Sequence, residues 1–506
     1  MIPKSSLNCI RNANLAAFVI LLSLGSLLQA QPAQSISLAW NPSSGTSVKG
    51  YRLHYGTSSG NYTSTLDAGA ASSATVSNLT TGTKYYFVVT AYNAAGAESM
   101  PSNEMSTIAQ GIQYGITAVN YLSNGSAQIT VTGSAGLSNK VYASTDMKVW
   151  TLLTTAVNTS GTMLVADPAA ATLNQRFYRV TNSKGTTAPA GFTKLPITGA
   201  ASALSPSYSY LGMGLTNPVS YNGKVTSFGA QTITDSTAIW NDNQFNGRSG
   251  QFYIEIVSGS HAGLMSDIIA TSAATKTLTT EDNLAPYLAN GQLYKIRKHR
   301  TIGDVFGVNN SAGLNGGATV STADEVQVFN PVTQTYLRYY YQTSGTGGIG
   351  WRSSTDSATD ASGTALYLDQ GVIVCRKLAG DLPLGLTGAV KTGPTIVPIG
   401  TNLNLIANVY PAGNLTLGNS GLRNSNAALG LVGAASVTDA DEVHIFSGTG
   451  FQIYFFKTSG PGGTGWRNST NPSADAGKTQ IPPGASIYVL RKNGRSAFLW
   501  RVAQPF

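Results

Sequence analysis

Ionisable side chains are scarce in this chain. Lys, Arg, Asp and Glu together make up 10% of 506 residues, against about a quarter in an average soluble protein. Histidine occurs four times and cysteine twice, which leaves little for acid–base, thiol or zinc chemistry. The histidines at 54, 261, 299 and 444 are scattered, and no Cys-x-x-Cys pair accompanies them, so no zinc pattern is present. No EF-hand loop is present to hold calcium. Nothing in the chain points to a cofactor. Ser420, in Gly418-Asn-Ser-Gly421, lacks the spacing of a nucleophile elbow.

The net charge of +9 is spread thin. Lys4 and Arg11 lie in a segment without acids, residues 31–112 carry three charges of each sign, and residues 190–506 carry 21 basic and 17 acidic groups. No region has the concentrated basic footprint of a nucleic-acid binder. What the chain does have is glycine, at 56 positions, with 20 prolines and no collagen period. Hydrophobic residues make up 42%, enough to build cores for roughly three domains of about 150 residues each.

Residues 1–30 read as a secretory signal peptide, with Lys4 and Arg11 before the apolar stretch Leu15–Leu28 and a cleavage site after Ala30. The alternative is an uncleaved anchor, but 14 residues are short for a membrane span. No later stretch is long and apolar enough to cross a bilayer. The implied address is secreted, either extracellular or associated with the cell surface. Cys9 leaves with the leader, and Cys375 alone cannot form an intrachain disulfide.

Residues 31–109 alternate apolar and polar positions between turns, the pattern of an all-β sandwich. Ile36, Leu38 and Trp40 share one strand face, as do Tyr51, Leu53 and Tyr55, and then Tyr85, Phe87, Val89 and Ala91. Over residues 33–108, Trp40, the strand Gly50-Tyr-Arg-Leu-His-Tyr55 and the run Leu79-x-x-Gly82-Thr-x-Tyr85-x-Phe87 resemble a fibronectin type III domain. That resemblance implies a seven-stranded sandwich with Trp40, Tyr51, Leu79 and Tyr85 as structural residues. It also implies a tyrosine corner in which the Tyr85 hydroxyl bonds backbone. Thr81 stands where the family often has Pro. Such domains serve as spacers or binding modules, and the fold alone does not fix a function.

Residues 113–183 repeat the signal more weakly and predict a second small β-sandwich, with Trp150 in its core. Residues 184–193 read as a linker. Residues 194–506 form a β-rich region with an internal duplication, over about 294–380 and 403–494. Ala323-Asp-Glu-Val matches Ala440-Asp-Glu-Val, Thr343-Ser-Gly-x-Gly-Gly-x-Gly-Trp351-Arg352 matches Thr458-Ser-Gly-x-Gly-Gly-x-Gly-Trp466-Arg467, and Cys375-Arg-Lys matches Leu490-Arg-Lys. Cys375 is therefore expected to pack as a small hydrophobe. Residues 190–506 resemble an uncharacterised family of secreted bacterial proteins, a likeness that brings no catalytic residues with it.

The fold class that follows is all-β: a fibronectin type III-like sandwich, a second small β-sandwich and a duplicated C-terminal β-rich region. Two readings of the repeated turn are open. Trp351 and Trp466 stack on sugar faces with Arg352 and Arg467 donating to hydroxyls or carboxylates, or the tryptophans close the cores and the arginines pair with nearby Asp. Adjacent Asp-Glu pairs at 324–325 and 441–442 point to opposite strand faces and cannot form one catalytic dyad. The basic run Lys295–Arg300 is either an anion-binding patch or a solvated strand end. The reading favoured is a secreted, non-catalytic binding or surface-structural protein, with polysaccharide or a cell-surface component as partner. The alternative is a glycan-active hydrolase or lyase with an accessory fibronectin type III module.

Overall fold

A computed structural model describes residues 34–43, 47–80, 83–108, 114–122, 124–202, 204–246, 251–492 and 494–506. The expected leader, 1–30, and Thr81 lie outside them. Two compact units form, Met1–Gly111 and Ile112–Phe506. Almost every regular element is a strand. Among the described residues, no helix is long and apolar enough to cross a membrane.

In the first unit the strands Gln34–Ala39 and Ser73–Leu79 pair. A second sheet runs in the order Ser64–Gly69, Gly50–Gly56, Lys84–Tyr92, Met105–Ile108. Six strands are thus described where seven were expected. Beyond Met105–Ile108 the edge ladder is broken, carried on by Ser99 and Ser102 amides bonding Ala91 and Val89 carbonyls. Period-two alternation puts Leu53, Val76, Leu79 and Phe87 into one buried core. The tyrosine corner is present: the Thr80 amide donates to the Tyr85 hydroxyl at 3.1 Å. Tyr51, packed 5.7 Å from Trp40, accepts a bond from the Ser43 amide.

The second unit corrects two boundaries. The described residues between 114 and 183 lie in two β layers, Thr162–Asp167/Ala127–Thr132/Gly115–Tyr121 against a sheet containing Thr151–Val157, Ser138–Ser144 and Gln175–Asn182. That second sheet does not stop at 183. Ala190–Ile197 pairs with Gln175–Asn182 on one side and, over eight residues, with Leu382–Val390 on the other. The last four residues of the expected linker, 190–193, therefore open a largely buried strand that joins the small sandwich to the rest of the unit. The linker's turn-rich start, Lys184-Gly-Thr, makes the short strand Gly185–Thr186. Phe192 on one face enters the small sandwich's core, and Leu195 and Ile197 on the other enter the larger core, which draws the strand inward.

The duplication is a pair of matching five-stranded sheets. One has the order Ser207–Leu211, Val372–Arg376, Glu325–Asn330, Thr335–Gln342, Gly350–Ser353, and the other Leu403–Ala407, Ser486–Leu490, Glu442–Phe446, Phe451–Lys457, Gly465–Asn468. The sheets meet through an aromatic layer containing Phe329, Tyr488 and Tyr210. The first copy therefore begins near 207, upstream of the expected 294. Between its first strand and Glu325, a separate seven-stranded sheet is inserted, built from strands between Val219 and Lys298. That insertion has its own core around Trp240, Ile254, Ile268 and Tyr294.

Candidate functional site

The repeated Trp-Arg turns sit inside the two copies. Trp351 is 0% exposed and Trp466 4%. Each indole packs edge-on to an aromatic of the strand before it, Tyr341 and Phe456, at 5.7 and 5.8 Å. The Trp351 ring nitrogen donates to the Gly307 carbonyl at 2.8 Å. A sugar-stacking platform needs an open ring face, and neither indole offers one.

The arginines are equally committed. Arg352 donates from Nη1 to the Trp351 carbonyl at 2.7 Å and from Nη2 to the Gly347 and Gly348 carbonyls, with Asp360 at 3.5 Å. Arg467 repeats this on Trp466, Gly462, Gly463 and Asp475. The glycines let carbonyls converge on the guanidinium: Gly347 and Gly462 have φ of +83° and +88°, and a Cβ on Gly347 would stand 2.6 Å from two backbone oxygens. The turn is a folded-in clasp.

The other repeated charges are also internal. Asp324 and Asp441 each accept a backbone amide nine residues earlier, from Asn315 and Val432, both at 2.7 Å. Each also takes the amide of the following copy-end lysine, Lys377 or Lys492. Arg491 reaches Asp441 at 2.6 Å, and Glu325 and Glu442 pair with Lys377 and Lys492 on the opposite face. Cys375 is buried. Ser420 is buried, bonding the Leu417 carbonyl. The basic run is neither a patch nor a solvated end: Arg297 and His299 are buried and Arg300 bonds the Leu215 carbonyl.

An open cleft of about 370 Å³ lies where the inserted sheet faces the two copies. Its polar floor comes from elements far apart in sequence. Tyr253 lies on strand Phe252–Ile256, Asp267 on Met265–Ser272, His299 just after Leu293–Lys298, and Tyr367 and Asp369 on the segment between Ala365–Leu366 and Val372–Arg376. His299 Nε2 bonds Asp267 Oδ1 at 2.8 Å, and Tyr367 donates its hydroxyl to Asp267 Oδ2 at 3.0 Å. The imidazole is held between Tyr253 and Tyr367, each ring centroid 4.6 Å away.

Asp369 is different from every other carboxylate of the repeat. Among the described residues, no donor on another residue reaches its side chain. Burial pushes its carboxyl up, opposed by its own amide and then by His299, while the neighbouring Asp267 adds the smallest upward push. Burial also pushes the Tyr367 phenol up, with Asp267 reinforcing the shift. Glu281 and Asp282 stand at the exposed rim, Asp282 accepting from Ser266 at 2.8 Å. A second cavity of about 230 Å³ shares Tyr367, Asp369 and Pro398 with the first. The only histidine–carboxylate pair buried on both sides, among the described residues, is thus in this cleft. Among them, no group of three or more metal-ligating side chains comes together.

Apart from His299, which lies within the basic run, none of the cleft residues stands out in the sequence. Asp267 and His299 are single residues in the insertion. Tyr367 and Asp369 fall where the two copies part: their counterparts at the same spacing are Pro482 and Gly484. That local break in an otherwise close repeat is the one signal that pointed there.

Residues 27–108 match the family model of the fibronectin type III domain, a kind of extracellular binding or structural module. No curated protein matches the chain. Among solved structures, a two-domain fibronectin type III segment of chicken tenascin aligns at 14% identity, covering 32% of this chain and 91% of its own, with a TM-score of 0.15. The central fibronectin-III array of RIM-binding protein aligns at 14%, covering 52% and 86%, with a TM-score of 0.14. The FN1–FN3 domains of chicken CNTN1 align at 17%, covering 52% and 88%, with a TM-score of 0.13.

Proposed function

We propose that the chain is a secreted extracellular binding protein that holds a polysaccharide or other cell-surface component in the cleft of its second unit, with the fibronectin type III domain as a spacer or second contact. The observation that carries this is the cleft itself: a concave site in which apolar walls, aromatic faces and a few fixed polar groups converge. The adjoining cavity past Tyr367 and Asp369 gives room for the next unit of a chain-like ligand. The test is a glycan array probed with the mature chain and with Tyr367→Ala. Binding by the parent that the variant loses supports the reading. An array on which the parent binds nothing, or on which both bind alike, overturns it.

A second reading is favoured by one specific observation. The His299–Asp267 pair and the raised Asp369 carboxyl stand in one cleft, the kind of pairing that acid–base chemistry requires. A glycan-active hydrolase or lyase would release new reducing ends from a bound polysaccharide, and His299→Gln would stop it. Binding without any such release leaves the protein non-catalytic.

A further inference from the structure

The cleft also specifies the charge of what it takes. Its ionisable wall is one-sided: Asp267, Asp369, Glu281 and Asp282 line it, and among the described residues no Lys or Arg does. This is unlike the rest of the unit. The buried Glu255, two residues from Tyr253, is contacted by both Arg297 and Lys391, which outweigh the effect of burial and hold its carboxyl low. Asp441 is met by Arg491 and Arg495. In the cleft, by contrast, half-buried Asp369 faces the open space, and among the described residues no side chain of opposite charge pairs with it.

An unpaired carboxylate held partly out of water is unfavourable by itself, because burial opposes the charged form. A cation entering the cleft relieves that cost. Clefts lined by one sign of charge with low-dielectric walls focus the field on such an ion. The half-buried ring of Tyr367 at the cleft wall adds attraction of the cation–π kind for an ammonium within about 6 Å of it. His299 is already tied to Asp267 and flanked by the Tyr253 and Tyr367 rings, so it shapes the floor while Asp369 stays available.

We propose that the cleft binds its ligand through a protonated amine seated between Asp369 and the Tyr367 ring, so that among glycans it selects those with free amino groups. This rests on the cleft being the ligand site. The ammonium donates to the Asp369 carboxylate, and no bond is made or broken.

The experiment is calorimetric titration of the mature chain with a glucosamine hexamer and with its fully N-acetylated counterpart, which has the same length and no charge. The expected result is at least tenfold tighter binding of the amine form. Asp369→Asn, of nearly the same shape, erases the difference in a chain whose thermal transition is no lower than the parent's. Raising salt weakens only the amine form. Equal binding of the two sugars overturns the amine inference and leaves the cleft reading standing. Binding of neither, by a chain that binds other glycans on the array, also overturns the inference alone. Trilysine separates the sources of an amine: if it binds at Asp369 and the sugar does not, the amine inference holds and the polysaccharide reading fails.

Discussion

The duplicated turns and the cleft belong to one unit and draw on the same residue types, but they are wired in opposite ways. In the turns, a Trp and an Arg from each copy are folded inward, and each guanidinium is spread over three carbonyls and a carboxylate. In the cleft, a carboxylate is left unpaired beside a histidine clasped by two tyrosines. The turns are the same in both copies. The cleft exists once, where an inserted sheet meets the segment in which the copies diverge. Repetition within a chain marks what each copy needs in order to fold, and the place where repetition fails marks what the molecule adds.

Six substitutions of four kinds test that contrast, from the largest expected effect down. Trp351→Ala and Trp466→Ala empty a fully packed site in each copy and should each cost about 3–5 kcal/mol in denaturant unfolding. If either is tolerated without loss, the turns are not core. Arg352→Ala and Arg467→Ala strand backbone carbonyls in the interior and should each destabilise by about 2 kcal/mol. The two losses should be similar, and Lys at either position should not restore stability, because one ammonium cannot span the fork. A large difference between the copies would mean that the shared geometry hides unequal roles.

Asp267→Ala removes the partner of both His299 and Tyr367 and should cost about 1–2 kcal/mol, together with loss of ligand binding. Binding that survives it would move the site elsewhere. Asp369→Asn has the smallest and opposite effect on the fold. The folded state holds the Asp369 proton more tightly than the unfolded chain does, so its contribution is intact at acid pH and is lost as pH rises through the raised value. The Asn variant escapes that loss and should be more stable than the parent at neutral pH by at most about 1 kcal/mol, the gain fading on acidification. A gain in stability joined to a loss of ligand is the signature of a residue kept for function. A destabilised Asn variant would show that Asp369 has a structural partner.

The all-β class and the first unit were legible because alternation at Leu53–Tyr55 and Tyr85–Ala91 meets recognisable turns. The duplication was legible as matching strings from Ala323 to Lys377. The strand Ser207–Leu211 was not, because its counterpart Leu403–Ala407 pairs with the matching strand of the other copy but has no residues worth matching. Ala190–Ile197 was hidden by the Gly-Thr-Thr-Ala-Pro before it, which reads as a break although the chain merely turns a corner into the next strand. The Trp-Arg motif was found at once, but its direction was not: an aromatic beside glycines fits a surface platform and a buried clasp equally well until the carbonyls around Arg352 are located. His299 sat within a basic run whose alternate residues turn inward, which charge counting along the chain does not reveal.

Hydroxyl-radical footprinting of the mature chain, with and without the glucosamine hexamer, tests the contrast most directly. The cleft residues Met265 and Tyr287 should be oxidised in the free protein and shielded by the ligand, while Trp351 and Trp466 stay unreactive in both states. Tryptophans at the turns that oxidise readily and are shielded on binding, with Met265 and Tyr287 unchanged, would contradict the account.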